Sequence, residues 1–267
     1  MDLTRTGQSR LMIFSGLLLV LLTGACAAPP PDADGTAQMP TPANPVAEAD
    51  KLYLGRDQDL GRVRSAVTIL RGALANDGSN YEAAWRLSKF SYFLGDNTTD
   101  ETERSRAFTE GVKAGETAVK LQPDKPDGHF WQGANLGGQA KSSPLAGLAA
   151  VSKIRTEMNE VIRIDESFAD GAAYLALGQI EMQLPAMMGG DPKKAVGYLE
   201  KSVKYSDTNV LARYWLARAY IATGRRADAQ AKLLEVMKAP ADPEYLAEYK
   251  RTQADAQALL DEEFKGK

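Results

Sequence analysis

From Val46 onward, apolar and small residues recur at every third or fourth position, and no run alternates apolar with polar as a half-buried strand would. In AVTILRGALANDG the positions Ala66, Leu70 and Ala73 share a helical face that stops at Gly78. GVKAGETAVKLQP repeats the pattern with Gly111, Gly115 and Ala118 and a stop at Pro123. AVGYLEKSVKYSD repeats it again with Ala195, Leu199 and Ser202 and a stop at Asp207. Each segment reads as the second helix of a two-helix repeat, in which the small residues let a neighbouring helix approach closely and the breaker ends the turn.

The first helices align as well. DGHFWQGANLGG from Asp127 matches DGAAYLALGQIE from Asp170, so Trp131 falls on Tyr174, while Trp85 and Tyr214 hold the same place in YEAAWRLSKF and LARYWLARAY. These aromatics are spaced by about 40–46 residues, where a tetratricopeptide unit takes about 34. Every repeat therefore carries an enlarged turn. The expected fold is all-α, an α-solenoid of four helical pairs with a lead-in helix around Ala47 to Leu54 and a closing helix near Pro243 to Phe264. The aromatics are expected to pack between the two helices of each pair.

The amino terminus breaks the helical pattern. Arg5 and Arg10 precede Leu11–Leu22, an uncharged apolar run too short to span a bilayer and suited to the core of a signal peptide. Thr23, Gly24 and Ala25 then lead into Cys26, the only cysteine. This resembles a bacterial lipobox, with Cys26 acylated as the mature first residue. Alanine at position 27, by resemblance to Gram-negative sorting, favours the outer membrane. Acyl chains contribute about 0.8 kcal/mol per buried CH₂, so two or three of them hold a protein firmly. Residues 27–45 (AAPPPDADGTAQMPTPANP) contain six prolines and almost no apolar bulk, the composition of an extended tether. The domain plan is thus a leader at 1–25, a lipidated cysteine and tether at 26–45, and a helical repeat domain at 46–267.

Composition removes most chemistry. Net charge is −3 with both signs interspersed, which gives no basic footprint for nucleic acid. One histidine and one cysteine rule out His/Cys zinc sites, an internal disulfide and CxxC redox work. GLAAVSK at 147–153 lacks the second glycine of a P-loop, and DGSNYEAAWRLSK breaks the oxygen alternation of an EF-hand. Adjacent acids such as Asp100 and Glu101 point about 100° apart on a helix. The expectation is no enzyme, no metal and no cofactor.

A solenoid offers surface instead. In repeat register the inner face would carry Arg86, Phe90, His129, Gln132, Leu136, Leu175, Gln179, Met182 and Trp215, a weakly charged set suited to a partner protein or an apolar ligand. The turn LPAMMGGDP offers a second surface. Asp191 and Pro192 suit the N-cap and first position of the next helix, and Gly189 and Gly190 permit positive φ. Turn geometry leaves Leu184, Pro185, Met187 and Met188 as a surplus, either a binding rim or a fold-back onto the core. Methionine is common where one surface must fit several partners.

The lipobox, the enlarged turns, IRTEMNEVIRID, and above all Leu184–Ala195 within GQIEMQLPAMMGGDPKKAVGYLEKSV resemble the T-component family of TRAP transporters, across roughly Val46 to Leu260. The resemblance implies a periplasmic tetratricopeptide lipoprotein that docks the transporter's solute-binding subunit. The alternative is a tetratricopeptide lipoprotein that assists outer-membrane, pilus or secretion-system assembly. Either places the protein at the periplasmic face of the envelope, and oligomeric state stays open.

Overall fold

The computed structural model describes residues 43–142, 144–206, 208–241 and 246–265. The leader, Cys26 and most of the tether lie outside the described residues, as do the expected break at Asp207 and the expected start of the closing helix at Pro243. The described chain belongs to one compact unit, Pro40–Lys267. Its elements are helices α1 (Pro45–Tyr53), α2 (Leu60–Asn76), α3 (Tyr81–Asn97), α4 (Glu101–Leu121), α5 (Pro126–Ser142), α6 (Pro144–Ile164), α7 (Phe168–Gln183), α8 (Pro192–Tyr205), α9 (Val210–Ala222), α10 (Arg226–Lys238) and α11 (Leu246–Phe264).

Short polar side chains start these helices. Asn44, Asp59, Asn80, Asp100, Asp191 and Asn209 each accept a hydrogen bond from a backbone N–H of the first turn. Such a cap satisfies donors that the helix itself leaves unpaired and contributes about 1 kcal/mol.

Sequential helices pack as hairpins: α1 on α2, α3 on α4, α5 on α6, α7 on α8 and α9 on α10, with α11 closing against α9 and α10. First helices also touch the next first helix, α3 on α5 and α7 on α9. The lead-in helix is therefore not a lone element as the sequence reading had it. It is the first helix of a fifth hairpin, because the small-residue face of α2 (Ala66, Leu70, Ala73) needs a partner on its amino-terminal side too.

The core is a chain of clusters. One joins α1 to α4 around Leu70, Leu87 and Phe90; another joins α6 and α7 around Met158, Val161 and Leu177; a third runs from α7 to α11 around Leu199, Leu216 and Leu233. Neighbour-only burial of this kind is what a solenoid requires.

The small residues of α4 do what their spacing suggests. A Cβ on Gly115 would come within 2.9 Å of the Gln132 backbone nitrogen, so the backbones of α4 and α5 nearly touch. A Cβ on Gly111 would overlap the Asn135 amide, which is fully buried and donates to the Ser88 and Trp131 carbonyls at 3.0 and 2.8 Å.

Candidate partner-binding surfaces

Trp85, Lys89 and Tyr92 follow one another along α3 at helical spacing and remain half-buried, as does Trp131 on α5. The two helices meet through them. The Tyr92 and Trp131 rings lie 5.8 Å apart, and Phe130 stands edge-on to Trp131 at 4.9 Å. The Lys89 ammonium sits between two rings, 5.4 Å from the Tyr53 centroid and 5.6 Å from that of Trp131. Arg86, beside this strip, lies over the Trp85 ring at 4.2 Å and pairs with Asp50 at 2.8 Å and with Glu82. On α9, Trp215 carries Arg218 over its face at 4.4 Å. Aromatic residues and arginine are enriched at protein interfaces.

This strip differs from the expected one. Phe90, His129, Gln132 and Leu175, assigned to the inner surface from repeat register, are buried. Phe90 stacks on Tyr53 at 3.9 Å, and Leu175 belongs to the core around Leu199 and Leu216. A first helix here packs against both its hairpin partner and the next first helix, which covers Phe90 and leaves Trp85, Lys89 and Tyr92 half-buried on α3 beside Arg86. Arg86, Leu136, Gln179, Met182 and Trp215 are half-buried, and of these Leu136, Met182 and Trp215 lean on the core clusters.

Nor are the four aligned aromatics equivalent. Trp85, Trp131 and Tyr214 are half-buried, but Tyr174 is buried and stacks on Tyr205 of α8 at 6.0 Å while its hydroxyl donates to Glu166 at 2.9 Å. Ala169, Asp170 and Gly171 ahead of it have φ of 46, 59 and 71°, so the regular helix begins late and Tyr174 turns toward α8.

His129 has a structural partner. Its Nδ1 lies 2.5 Å from Glu157 of α6, and its Nε2 lies 2.9 Å from the Pro123 carbonyl before α5. A carbonyl only accepts, so Nε2 holds a proton. Lys153 meets the other Glu157 oxygen at 2.5 Å. The Glu157 bond raises the His129 pKa above its ordinary 6.5 against the opposing pull of burial. Burial pushes Glu157 up, but the bonds from His129 and Lys153 outweigh it and the carboxyl titrates below its ordinary 4.5. With both ring nitrogens occupied, the imidazole is a brace between α5 and α6, not a base facing a substrate. Among the described residues no cluster of three His, Cys, Asp or Glu could hold a metal ion.

The enlarged turn after α7 is a 3-10 turn, Ala186–Met188. Gly189 takes φ 89° and Gly190 does not, but a Cβ on Gly190 would overlap the Leu184 carbonyl. Asp191 caps α8 by accepting from the N–H groups of Lys193 and Lys194 at 2.9 and 3.3 Å, and Pro192 opens the helix. Met187 is 90% exposed and Met188 47%; Pro185 is exposed and Leu184 half-buried. The turn is tied to α6 through Arg155, whose guanidinium donates to buried Glu181 at 2.8 Å and to the Gly189 carbonyl at 3.3 Å. Between them lies a cleft of about 360 Å³ lined by Val151, Ser152, Arg155, Thr156, Asn159, Leu184 and Met188.

Sequence reasoning missed the structural role of Glu157 and Glu181. One signal was available: Glu157 falls between Ile154 and Val161 on the apolar stripe of α6, where an acid needs a buried partner.

A model of the family described as regulator of microtubule dynamics protein 1-3 matches residues 46–264. The chain belongs to that family. The match runs from α1 into the end of α11, so the family is defined by the whole helical domain and not by one hairpin. Its description differs from that of the T-component family to which the sequence was likened. No curated protein matches the chain in sequence. Among solved structures, the tetratricopeptide protein TTC0263 of Thermus thermophilus is similar over 80% of this chain and 98% of its own, with 20% identity and a TM-score of 0.58. PilF of Pseudomonas aeruginosa is similar over 84% of this chain and 93% of its own, with 15% identity and a TM-score of 0.54. At these identities the likeness is one of fold: this family member is a tetratricopeptide solenoid.

Proposed function

We propose that this protein is a non-enzymatic scaffold that holds a partner protein against its first helices while a lipid on Cys26 keeps it at the periplasmic face of a bacterial envelope. The supporting observation is the half-buried strip of Trp85, Lys89, Tyr92 and Trp131, shared by α3 and α5. Fold alone does not specify function, so the reading rests on that strip. It offers ring faces for apolar side chains, which suits a partner helix or an extended peptide.

The anchor and the location rest on the residues from Arg5 to Cys26. The family's description names microtubule dynamics. A chain exported through such a leader would meet no cytosolic polymer, so what carries over from the family is the helical scaffold and not that target. A solute-binding subunit of a TRAP-type transporter is the partner suggested by the Leu184–Ala195 segment, and an envelope-assembly component is the alternative. Among the described residues no helix is long and apolar enough to cross a membrane.

Capture from detergent-solubilised envelope tests both halves of the proposal. The wild-type chain should partition into Triton X-114 and retain a protein partner. Cys26→Ser should leave the detergent phase, and Trp131→Ala with Tyr92→Ala should lose the partner while keeping the anchor. Unchanged partitioning of Cys26→Ser contradicts the lipid anchor, and full partner retention by the strip variant contradicts the docking face.

A further inference from the structure

Helix α9 offers a surface of its own. Its sequence, VLARYWLARAYIA, contains two arginines and no carboxylate. Arg213 is buried and braced by the Ser206 and Asn209 carbonyls and by Glu235. Arg218 is exposed. Its guanidinium lies 4.4 Å from the Trp215 ring centroid and 5.9 Å from that of Tyr214. Both rings are half-buried and lean on the core around Leu199 and Leu216. The long arm of Arg218 is therefore laid on a platform that the fold itself holds in place.

What sets this cation apart is the lack of a counter-ion. Arg86, Arg225 and Arg226 also cover rings, and each pairs with a carboxylate of this chain. No carboxylate among the described residues pairs with Arg218. Most acids of the helices packed on α9 are engaged elsewhere. Glu181 of α7 is held by Arg155, and Glu200 of α8 shares Arg225 with Asp228 of α10. Glu235 of α10 meets Arg213 and Lys232. On α11, Asp261 and Glu263 pair with Lys265 and Arg226, while Asp255 acts on Tyr214 through space without an ion pair to Arg218. The Tyr214 hydroxyl accepts from Arg218, but it is neutral and leaves the rest of the guanidinium fork open.

We propose that Arg218, Trp215 and Tyr214 bind an aspartate or glutamate side chain of a partner protein, with an apolar neighbour of that acid lying against Leu211 and Trp215. A guanidinium over an indole keeps its N–H edge for an acceptor, and planar two-point pairing is the geometry in which arginine holds a carboxylate best. Resting the arm on the rings before the partner arrives removes part of the ordering cost of binding. Leu211 and Trp215 stand one helical turn apart on the face that carries Arg218. Both are half-buried, so they keep apolar surface for a neighbouring side chain. The site lies on α9 and does not depend on the α3–α5 strip.

The test uses the full chain in detergent and pools of carboxy-amidated heptapeptides, so that every carboxylate is a side chain. One pool has Asp or Glu at the centre with leucine or phenylalanine beside it. A second replaces the acid by Asn or Gln, and a third replaces the apolar neighbours by serine. The acidic apolar pool should be retained roughly tenfold better than the amide pool, a difference of about 1.4 kcal/mol, and the advantage should shrink as salt is raised. It should be retained roughly threefold better than the serine pool, as partial burial of one apolar side chain contributes. Arg218→Gln, at an exposed position without an ion pair, should melt as the wild type does and lose the preference for acid over amide. Arg218→Lys should fall short of wild-type retention, because an ammonium lacks the fork. Equal retention of the three pools, or an acid preference unchanged in Arg218→Gln, overturns the proposal. Trp131→Ala with Tyr92→Ala should leave the preference intact; its loss there would move the peptide to the α3–α5 strip and overturn the site on α9. Capture of the envelope partner by that strip is read separately, so failure of one is distinguishable from failure of the other.

Discussion

His129 shows how a single residue changes its meaning once its neighbours are known. Its folded-state pKa lies above the ordinary 6.5, so the stability it contributes is fully present below that value and is lost as pH rises through the folded pKa. Glu157 lies below its ordinary 4.5, so its contribution is present above that value and is lost as pH falls through the folded pKa. The pair therefore stabilises most between about pH 4.5 and 6.5. Urea-unfolding midpoints across pH should decline for the wild type above that window, while His129→Gln should be less stable within it and flatter above it. Parallel curves would remove the pair from the stability account. Gly111 makes a second residue-scale case. A Cβ on Gly111 would overlap the buried Asn135 amide, which is bonded to the Ser88 and Trp131 carbonyls, so Gly111→Ala should cost about 1–3 kcal/mol as overpacking does. A melt unchanged from wild type would mean that α4 and α5 can slide apart.

At the scale of elements, much of the fold was legible. Helix starts were marked by Asp191 with Pro192, and close contacts by Gly111, Gly115 and Ala118, because capping and small-residue packing act over a few residues of sequence. The half-buried strip was not legible. Which face of α3 stays uncovered depends on both neighbours at once, and the left-handed residues Ala169–Gly171 rotate α7 away from the register that aligned Tyr174 with Trp131. The LPAMM surplus was undecided for a related reason: an apolar turn reads alike whether it covers a core or faces solvent. Its exposure now has a consequence. Converting Met187 and Met188 to glutamate should alter stability by no more than about 0.5 kcal/mol each, against several kcal/mol for a buried unpaired carboxylate. A thermal melt of the double variant decides it, and a collapsed melt would place the methionines in the core.

For the whole molecule, burial links neighbouring hairpins in turn, and the first helices α3 and α5 keep a run of half-buried aromatics at Trp85, Tyr92 and Trp131. The central claim is that a partner lies along that run. Site-specific photo-cross-linking tests it most directly, with a benzophenone side chain placed in turn at Lys89 and Ala134 on the first helices and at Arg106 and Lys113 on α4. After irradiation of intact cells, the account predicts a single discrete adduct from the two first-helix positions and none from the two α4 positions. Adducts from α4 alone, or equal adducts from all four, would contradict it.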